Sequence, residues 1–258
     1  MYLEPLQYLL GAIAALIIGF SKTGVPGAGI LMVPLMALIF GPRLSLGATI
    51  PMLVLGDCFA VAFYRSYCRW DHLRKLAPWV ICGLLFGTAL LDYWLSHQSK
   101  RDYLGPLIGT MVLIMLGLSL LRGKLGDKMV PTSPEGRAVT GLVAGFSTMV
   151  SNAAGPVMAI YMTSTGMAKE QFMGTSAWYF FIFNLSKVPQ LVLLTLRHPG
   201  LPMITGPTLL FNLEMFPVIL VGAYFGRWFL PHIPQKPFNN TVLVLAALAA
   251  VTLYMPKK

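Results

Sequence analysis

Charge is what this sequence has least of. Asp, Glu, Lys and Arg together supply 11% of its 258 residues, against 56% hydrophobic residues and a mean hydropathy of +0.71. A soluble globule of this composition would have far too little polar surface, so a soluble domain is excluded. Cysteine is scarce as well. Cys58, Cys68 and Cys82 are an odd three without a C-x-x-C spacing, which excludes a disulfide frame or a zinc site and leaves them as small apolar fillers. No H-E-x-x-H, G-x-S-x-G or Walker sequence occurs, so protease, lipase and ATP-driven pump are set aside and neither enzyme activity, cofactor nor metal is expected. His72, His97, His198 and His232 all fall in or beside polar connections, where interfacial anchoring outweighs metal binding.

What the chain does have is long apolar runs. They cover Leu6–Phe20, Ile30–Phe40, Leu46–Phe63, Leu76–Leu95, Tyr103–Leu121, Ala138–Met162, Phe172–Leu196, Met203–Leu230 and Phe238–Tyr254. All but the short Ile30–Phe40 approach or exceed the roughly 20 residues that a bilayer core requires, which makes this an all-α polytopic membrane protein. Met1–Gln7 carries Glu4 and no basic residue, and the polar Ser21-Lys22-Thr23 follows where a cleavage site would be, so the first run is read as a retained span rather than a cleaved signal. The net charge of +10 reports topology, not nucleic-acid binding, because Lys and Arg cluster beside the spans. The loops holding Arg65, Arg69, Arg74 and Lys75, and Arg122, Lys124, Lys128 and Arg137, are therefore expected on the cytoplasmic side. Trp70, Trp79, Trp94 and Trp228 lie near span ends, as an aromatic belt does.

The chain also repeats itself. Gly19-Phe20-Ser21 recurs as Gly145-Phe146-Ser147 at an offset of 126 (145 − 19). Gly47 falls on Gly174 and Asp57 on Asn184 at an offset of 127 (184 − 57), and Gly83/Gly87 fall on Gly222/Gly226 at 139 (222 − 83). The order is kept throughout, so residues 1–122 read as a first transmembrane repeat, 123–136 as a cytoplasmic basic linker and 137–258 as a second repeat. Pro5 to Phe40 is 36 residues, about 54 Å as a helix, too long for one straight crossing. The first unit of each half is either a broken spanning helix or a re-entrant hairpin. Only the hairpin leaves three full crossings per half and inverts the second half. Gly/Pro interruptions at matching places in two halves favour the hairpin.

The two interruptions carry the chemistry. They read Gly19-Phe20-Ser21-Lys22-Thr23-Gly24-Val25-Pro26-Gly27-Ala28-Gly29 and Gly145-Phe146-Ser147-Thr148-Met149-Val150-Ser151-Asn152-Ala153-Ala154-Gly155-Pro156. Nonhelical backbone at membrane depth must be buried in protein or line a cavity. A helix that restarts there turns its free N–H groups and positive dipole end inward, a setting for an anion. Ser21, Lys22, Thr23, Gly24, Gly27, Ser147, Thr148, Ser151, Asn152 and Gly155 are the candidate substrate-binding residues. Pro26 and Pro156 suit a first helical turn. The alternative is that the glycines pack helices and the hydroxyls cap them. Asp57, Asn184, Lys187 and Glu214 are candidates for coupling or gating, since charge inside a span is costly and functional by default. Lys22 either binds substrate or snorkels to an interface, and Asp57 either carries a proton or holds a lysine in place. Gly83/Gly87 and Gly222/Gly226 have the spacing of small residues that let helices approach.

Ile18-Gly19-Phe20-Ser21-Lys22-Thr23-Gly24 with Pro26-Gly27-Ala28-Gly29, and Gly141-Leu142-Val143-Ala144-Gly145-Phe146-Ser147 with Asn152-Ala153-Ala154-Gly155-Pro156, resemble the paired motifs of the sulfite exporter TauE/SafE family. The resemblance runs over essentially the whole chain. It implies secondary transport, commonly export, of small sulfur-containing anions such as sulfite or sulfonates across a bacterial inner membrane. Thr148 stands where the first motif has Lys22, so the two half-sites differ chemically and Lys22 becomes the positive pole. The expected partners are a small anionic substrate and the lipid bilayer, with proton coupling and a homodimer as candidates and no nucleic acid. A passive anion channel and a non-transporting membrane scaffold are the alternatives, and the scaffold has no use for Lys22, Asp57 and Lys187 at membrane depth.

Overall fold

The computed structural model describes residues 3–24, 28–97, 104–125, 133–229 and 251. Every α-helix and 3-10 turn within them is accounted for by nine α-helices and two short 3-10 segments, and no strand occurs among the described residues. The helices are α1 (Pro5–Thr23), α2 (Met32–Phe40), α3 (Pro42–Tyr64), α4 (Trp70–Ser96), α5 (Leu104–Leu125), α6 (Pro134–Ser151), α7 (Gly155–Ser164), α8 (Lys169–Arg197) and α9 (Gly206–Phe229). Five of them, α1, α3, α4, α8 and α9, are long and apolar enough to cross a membrane. The expected last span, Phe238–Tyr254, lies outside the described residues apart from Val251, as do Pro26 and Gly27.

Local signals set the helix ends. Ser133 accepts a hydrogen bond from the Gly136 amide at 3.1 Å and Pro134 follows in the first turn, a sound start for α6. Gln7 reaches back to the Glu4 amide at 2.9 Å to close the start of α1. Prolines sit inside α3, α4, α8 and α9 at Pro51, Pro78, Pro189 and Pro217. Neighbouring helices make such residues tolerable within a bundle.

Two cross-pairings organise the bundle. The helix α1 runs parallel to α9, where a Cβ on Gly19 would press into the backbone of Ile219 and Ala223. The helix α6 runs parallel to α4, where a Cβ on Gly145 would press into Val80 and Leu84. Gly222 and Gly83 return the contact, against Leu16 and Leu142. Small residues thus bring backbones together where lipid offers no hydrophobic drive for association. Because these glycines pack helices, α1 and α6 continue through both Gly-Phe-Ser triplets, and the interruptions fall about a turn later, at Gly24 and Asn152.

After each interruption the chain turns back. The Gln7 amide donates to the Ile39 carbonyl at 3.3 Å, so α2 ends beside the start of α1. Tyr161 of α7 meets His72, at 3.2 Å, in the first turn of α4, near where α6 begins beside Leu76 and Trp79. Between these units α3 and α8 cross antiparallel, with Gly174 packed on Tyr64 at one end and Gly47 on Met203 at the other. Arg65, Arg69, Lys169 and Arg227 gather at one end of the bundle, with Arg227 over the Phe63 ring at 4.3 Å and the Arg69 amide donating to Thr175 at 2.9 Å. At the opposite end Asp92 pairs with Arg197 at 3.1 Å and His198 at 2.9 Å.

Gly145→Ala and Gly19→Ala are each expected to destabilise the protein by about 1–3 kcal/mol, because the obstructing atoms are backbone and cannot rotate away. Gly117, in α5, has nothing within 4 Å of an added Cβ, so Gly117→Ala serves as the control. Thermal unfolding in detergent followed by tryptophan fluorescence reads the difference. Equal melting temperatures for all three variants would contradict the glycine-packed architecture.

Candidate functional site

A cavity opens between the two interruptions. Its wall combines Ser21 and Lys22 at the end of α1, Leu53 and Asp57 from α3, and Gly155 and Pro156 at the start of α7. Phe172, Ser176 and Phe180 of α8 line it on the side of the basic end. Each contribution traces to an interruption or to the α3–α8 crossing. Gly24 ends α1 directly after Lys22 and Thr23, which leaves the lysine at the helix terminus. Asn152 ends α6 in the left-handed conformation, φ 56°, a geometry asparagine tolerates better than most side chains.

Lys22 and Asp57 form the polar centre. The lysine Nζ lies 2.7 Å from Asp57 Oδ1, and the carboxylate is wholly buried while the lysine retains 12% exposure. Asn184 Nδ2 donates to the other carboxylate oxygen, Oδ2, at 2.7 Å. Besides Lys22, Oδ1 has no hydrogen-bond partner among the described residues. The ammonium also sits 4.1 Å from the centroid of the Phe180 ring, so an aromatic face and a carboxylate share one cation.

Lys187 occupies a second, deeper position. Its Nζ donates to the Thr148 carbonyl at 3.1 Å, to Thr148 Oγ1 at 3.1 Å and to Asn152 Oδ1 at 2.7 Å. Those three bonds tie the amine to the C-terminal, electronegative end of α6. Asn152 in turn donates to the Leu46 carbonyl of α3 at 3.2 Å, fastening the interruption to α3 as well as α8. The cavity rim therefore holds one partly accessible cation beside the N-terminus of α7, where first-turn N–H groups have no partner within the helix.

The expected site residues divide into those the cavity gathers and those it leaves outside. Ser21, Lys22, Asp57, Asn152 and Gly155 line it, and Asn184, Lys187 and Thr148 support that lining from behind. Thr23 instead donates to the Ala223 carbonyl at 2.7 Å and joins α1 to α9. Gly24 packs on Gly226. Ser147 and Ser151 bond back to the carbonyls of Ala144 and Ser147 within α6, away from the cavity. Glu214 is exposed on α9 and faces Tyr8 rather than the cavity. Gly27 lies outside the described residues. Phe180 and Ser176 line the cavity without having been anticipated, because aromatic and small residues inside an apolar run look the same whether they face a substrate or a neighbouring helix. The cysteines are free, and burial pushes the Cys68 thiol up to about 11, so it stays protonated and unreactive.

Removing either member of the central pair leaves the other charge buried without compensation, which costs about 3–5 kcal/mol. Lys22→Met and Asp57→Asn should each lower the thermal midpoint, and the double variant should recover part of the loss. Strict additivity of the two substitutions would show that the pair is not energetically coupled.

A family model described as sulfite exporter TauE/SafE matches residues 11–253, nearly the whole chain. A search of the curated proteins and a search of the solved structures each return no match.

Proposed function

The chain belongs to the sulfite exporter TauE/SafE family of membrane transporters, and on that premise we propose that it is a secondary carrier that exports small sulfur oxyanions, sulfite or a sulfonate, across a bacterial inner membrane. The observation that carries this reading is the Lys22 ammonium, partly accessible within a cavity that also takes in the N-terminus of α7. An oxyanion there meets a cation and a helix dipole end together, beside Ser21, whose hydroxyl donates back to the Ile18 carbonyl at 3.0 Å. Deeper in, Lys187 braces the interruption behind this wall through Thr148 and Asn152.

The position of the cavity supports a reading of alternating access. The cavity is lined by the C-terminal part of α3 and the N-terminal part of α8, so it lies toward the end that carries Arg65, Arg69 and Lys169. By the positive-inside rule that end is cytoplasmic, so the cavity lies nearer the face from which an exported anion would load. Asp92 of α4 bridges to Arg197 and His198 of α8 at the far end, where an outward-open state would have to part. Support for two inverted halves comes from the doubling back of α1–α2 and α6–α7 at opposite ends, and from α1–α9 and α4–α6 packing through Gly19 and Gly145 at the offsets seen in the sequence.

Sulfite and methanesulfonate are expected to raise the melting temperature of the detergent-purified protein, by about 2.7 kcal/mol of added stability at a hundredfold excess over Kd. Lys22→Ala should lose that gain and Ser147→Ala should keep it. In proteoliposomes, preloaded unlabelled sulfite should accelerate entry of labelled sulfite, an exchange that a passive channel does not show. If sulfur oxyanions neither stabilise the protein nor exchange, the carrier reading fails.

A further inference from the structure

Asp57 and Lys22 form a pair in which only one member can meet an incoming anion. Both residues line the cavity, but Lys22 keeps part of its surface accessible while Asp57 has none of its own. The two carboxylate oxygens are unequal. Oδ2 is held by the Asn184 amide, and Oδ1 depends on Lys22 alone among the described residues. An oxyanion bound to Lys22 would share one ammonium with a buried carboxylate, and a buried carboxylate beside a second anion is stable only when neutral.

Among the described residues, no other group around Asp57 relieves this. From α1 the carboxylate faces Lys22, and from α8 it faces Asn184 together with the longer-range charge of Lys187. Along α3 its neighbour is the Cys58 thiol. Lys187 does not take over from Lys22, because its Nζ is held by Thr148 and Asn152. Asn184 can keep donating to Oδ2 when Oδ1 takes a proton, since Oδ2 remains an acceptor in both forms, although the bond is stronger to the carboxylate.

Resting on the reading of Lys22 as the anion's ligand, we propose that anion and proton bind together: the anion takes Lys22 from Asp57, and a proton from the cytoplasmic solution takes the lysine's place on Asp57 Oδ1. The balance is simple. One N–H···O contact passes from Oδ1 to the anion, one O–H bond forms at Oδ1, and a monoanion enters with no change in the net charge of the buried cluster. Release reverses both steps, so the carrier moves a monoanion with one proton and Asp57 is the proton's seat.

The test uses methanesulfonate, the anion of a strong acid, which takes up no proton of its own near neutral pH. Isothermal titration of the full-length purified protein in two buffers of equal pH and different ionisation enthalpy reads the protons taken up. Wild type should take up about one proton per anion, and its affinity should tighten about tenfold for each pH unit lowered across the coupled range. Asp57→Asn should bind methanesulfonate with no proton uptake. If that variant does not fold, the wild-type proton count and pH slope decide the matter alone. Binding without proton uptake and with a flat pH profile overturns the proposal and leaves the anion site standing. Uptake that persists in folded Asp57→Asn overturns the assignment to Asp57. No methanesulfonate binding by wild type at any pH removes the anion site and this proposal together.

Discussion

A carboxylate with no access to water in the middle of a membrane protein cannot stand alone, and much of this structure can be understood as the consequence of placing Asp57 there. Its ion pair with Lys22 requires α1 to end beside α3, so that a lysine at the helix terminus reaches across at 2.7 Å. Its bond to Asn184 requires α8 to cross α3 at the same level. The interruption after Thr23 then has a role beyond topology, since it frees the end of α1 to deliver the lysine without a further helical turn in the way. Charge pairing, helix crossing and the position of the break therefore satisfy one requirement between them.

The second interruption solves a related problem by different chemistry. The last carbonyls of α6 end inside the protein, where water cannot satisfy them. Lys187 donates to the Thr148 carbonyl and to the Asn152 side chain, and Asn152 passes the connection on to Leu46. One break thus presents a lysine to the cavity, while the other consumes a lysine in holding itself together. The difference between Lys22 and Thr148 at corresponding places makes the cavity one-sided, with a cation on the α1 side and a helix N-terminus on the α7 side.

Glycine serves two separate purposes here. Gly19 and Gly145 permit backbone contact between α1 and α9 and between α6 and α4. Gly24 and Gly155 mark where helices stop and start. Both uses occur in the same short motifs, and the sequence alone does not separate them, because a residue without Cβ looks identical whether it is needed for close approach or for a chain reversal. Placing the interruptions at the Gly-Phe-Ser triplets was therefore early by about a turn. Ser147 and Ser151 were read as ligands for the same reason: a hydroxyl near a break can face a cavity or bond back along its helix, and here both bond back.

The membrane class, the basic end, the pairing of Asp57 with Asn184 by position and the singling out of Lys22 and Lys187 were all legible in the sequence. Each rests on a property that survives without coordinates: apolar length, loop charge, spacing between repeated motifs, and the cost of charge in hydrocarbon. Only the tertiary structure decided which lysine meets Asp57 and which caps α6, that Phe180 covers the ammonium, and that Thr23 and Glu214 lie away from the cavity. Those outcomes depend on how far a helix rotates and where its neighbour crosses. A rotation of one residue, about 100° on a helix of 3.6 residues per turn, is enough to exchange a cavity-facing side chain for a packed one. Spacing along a chain identifies the residues that share a helix face; the contacts between faces are set by packing across the bundle.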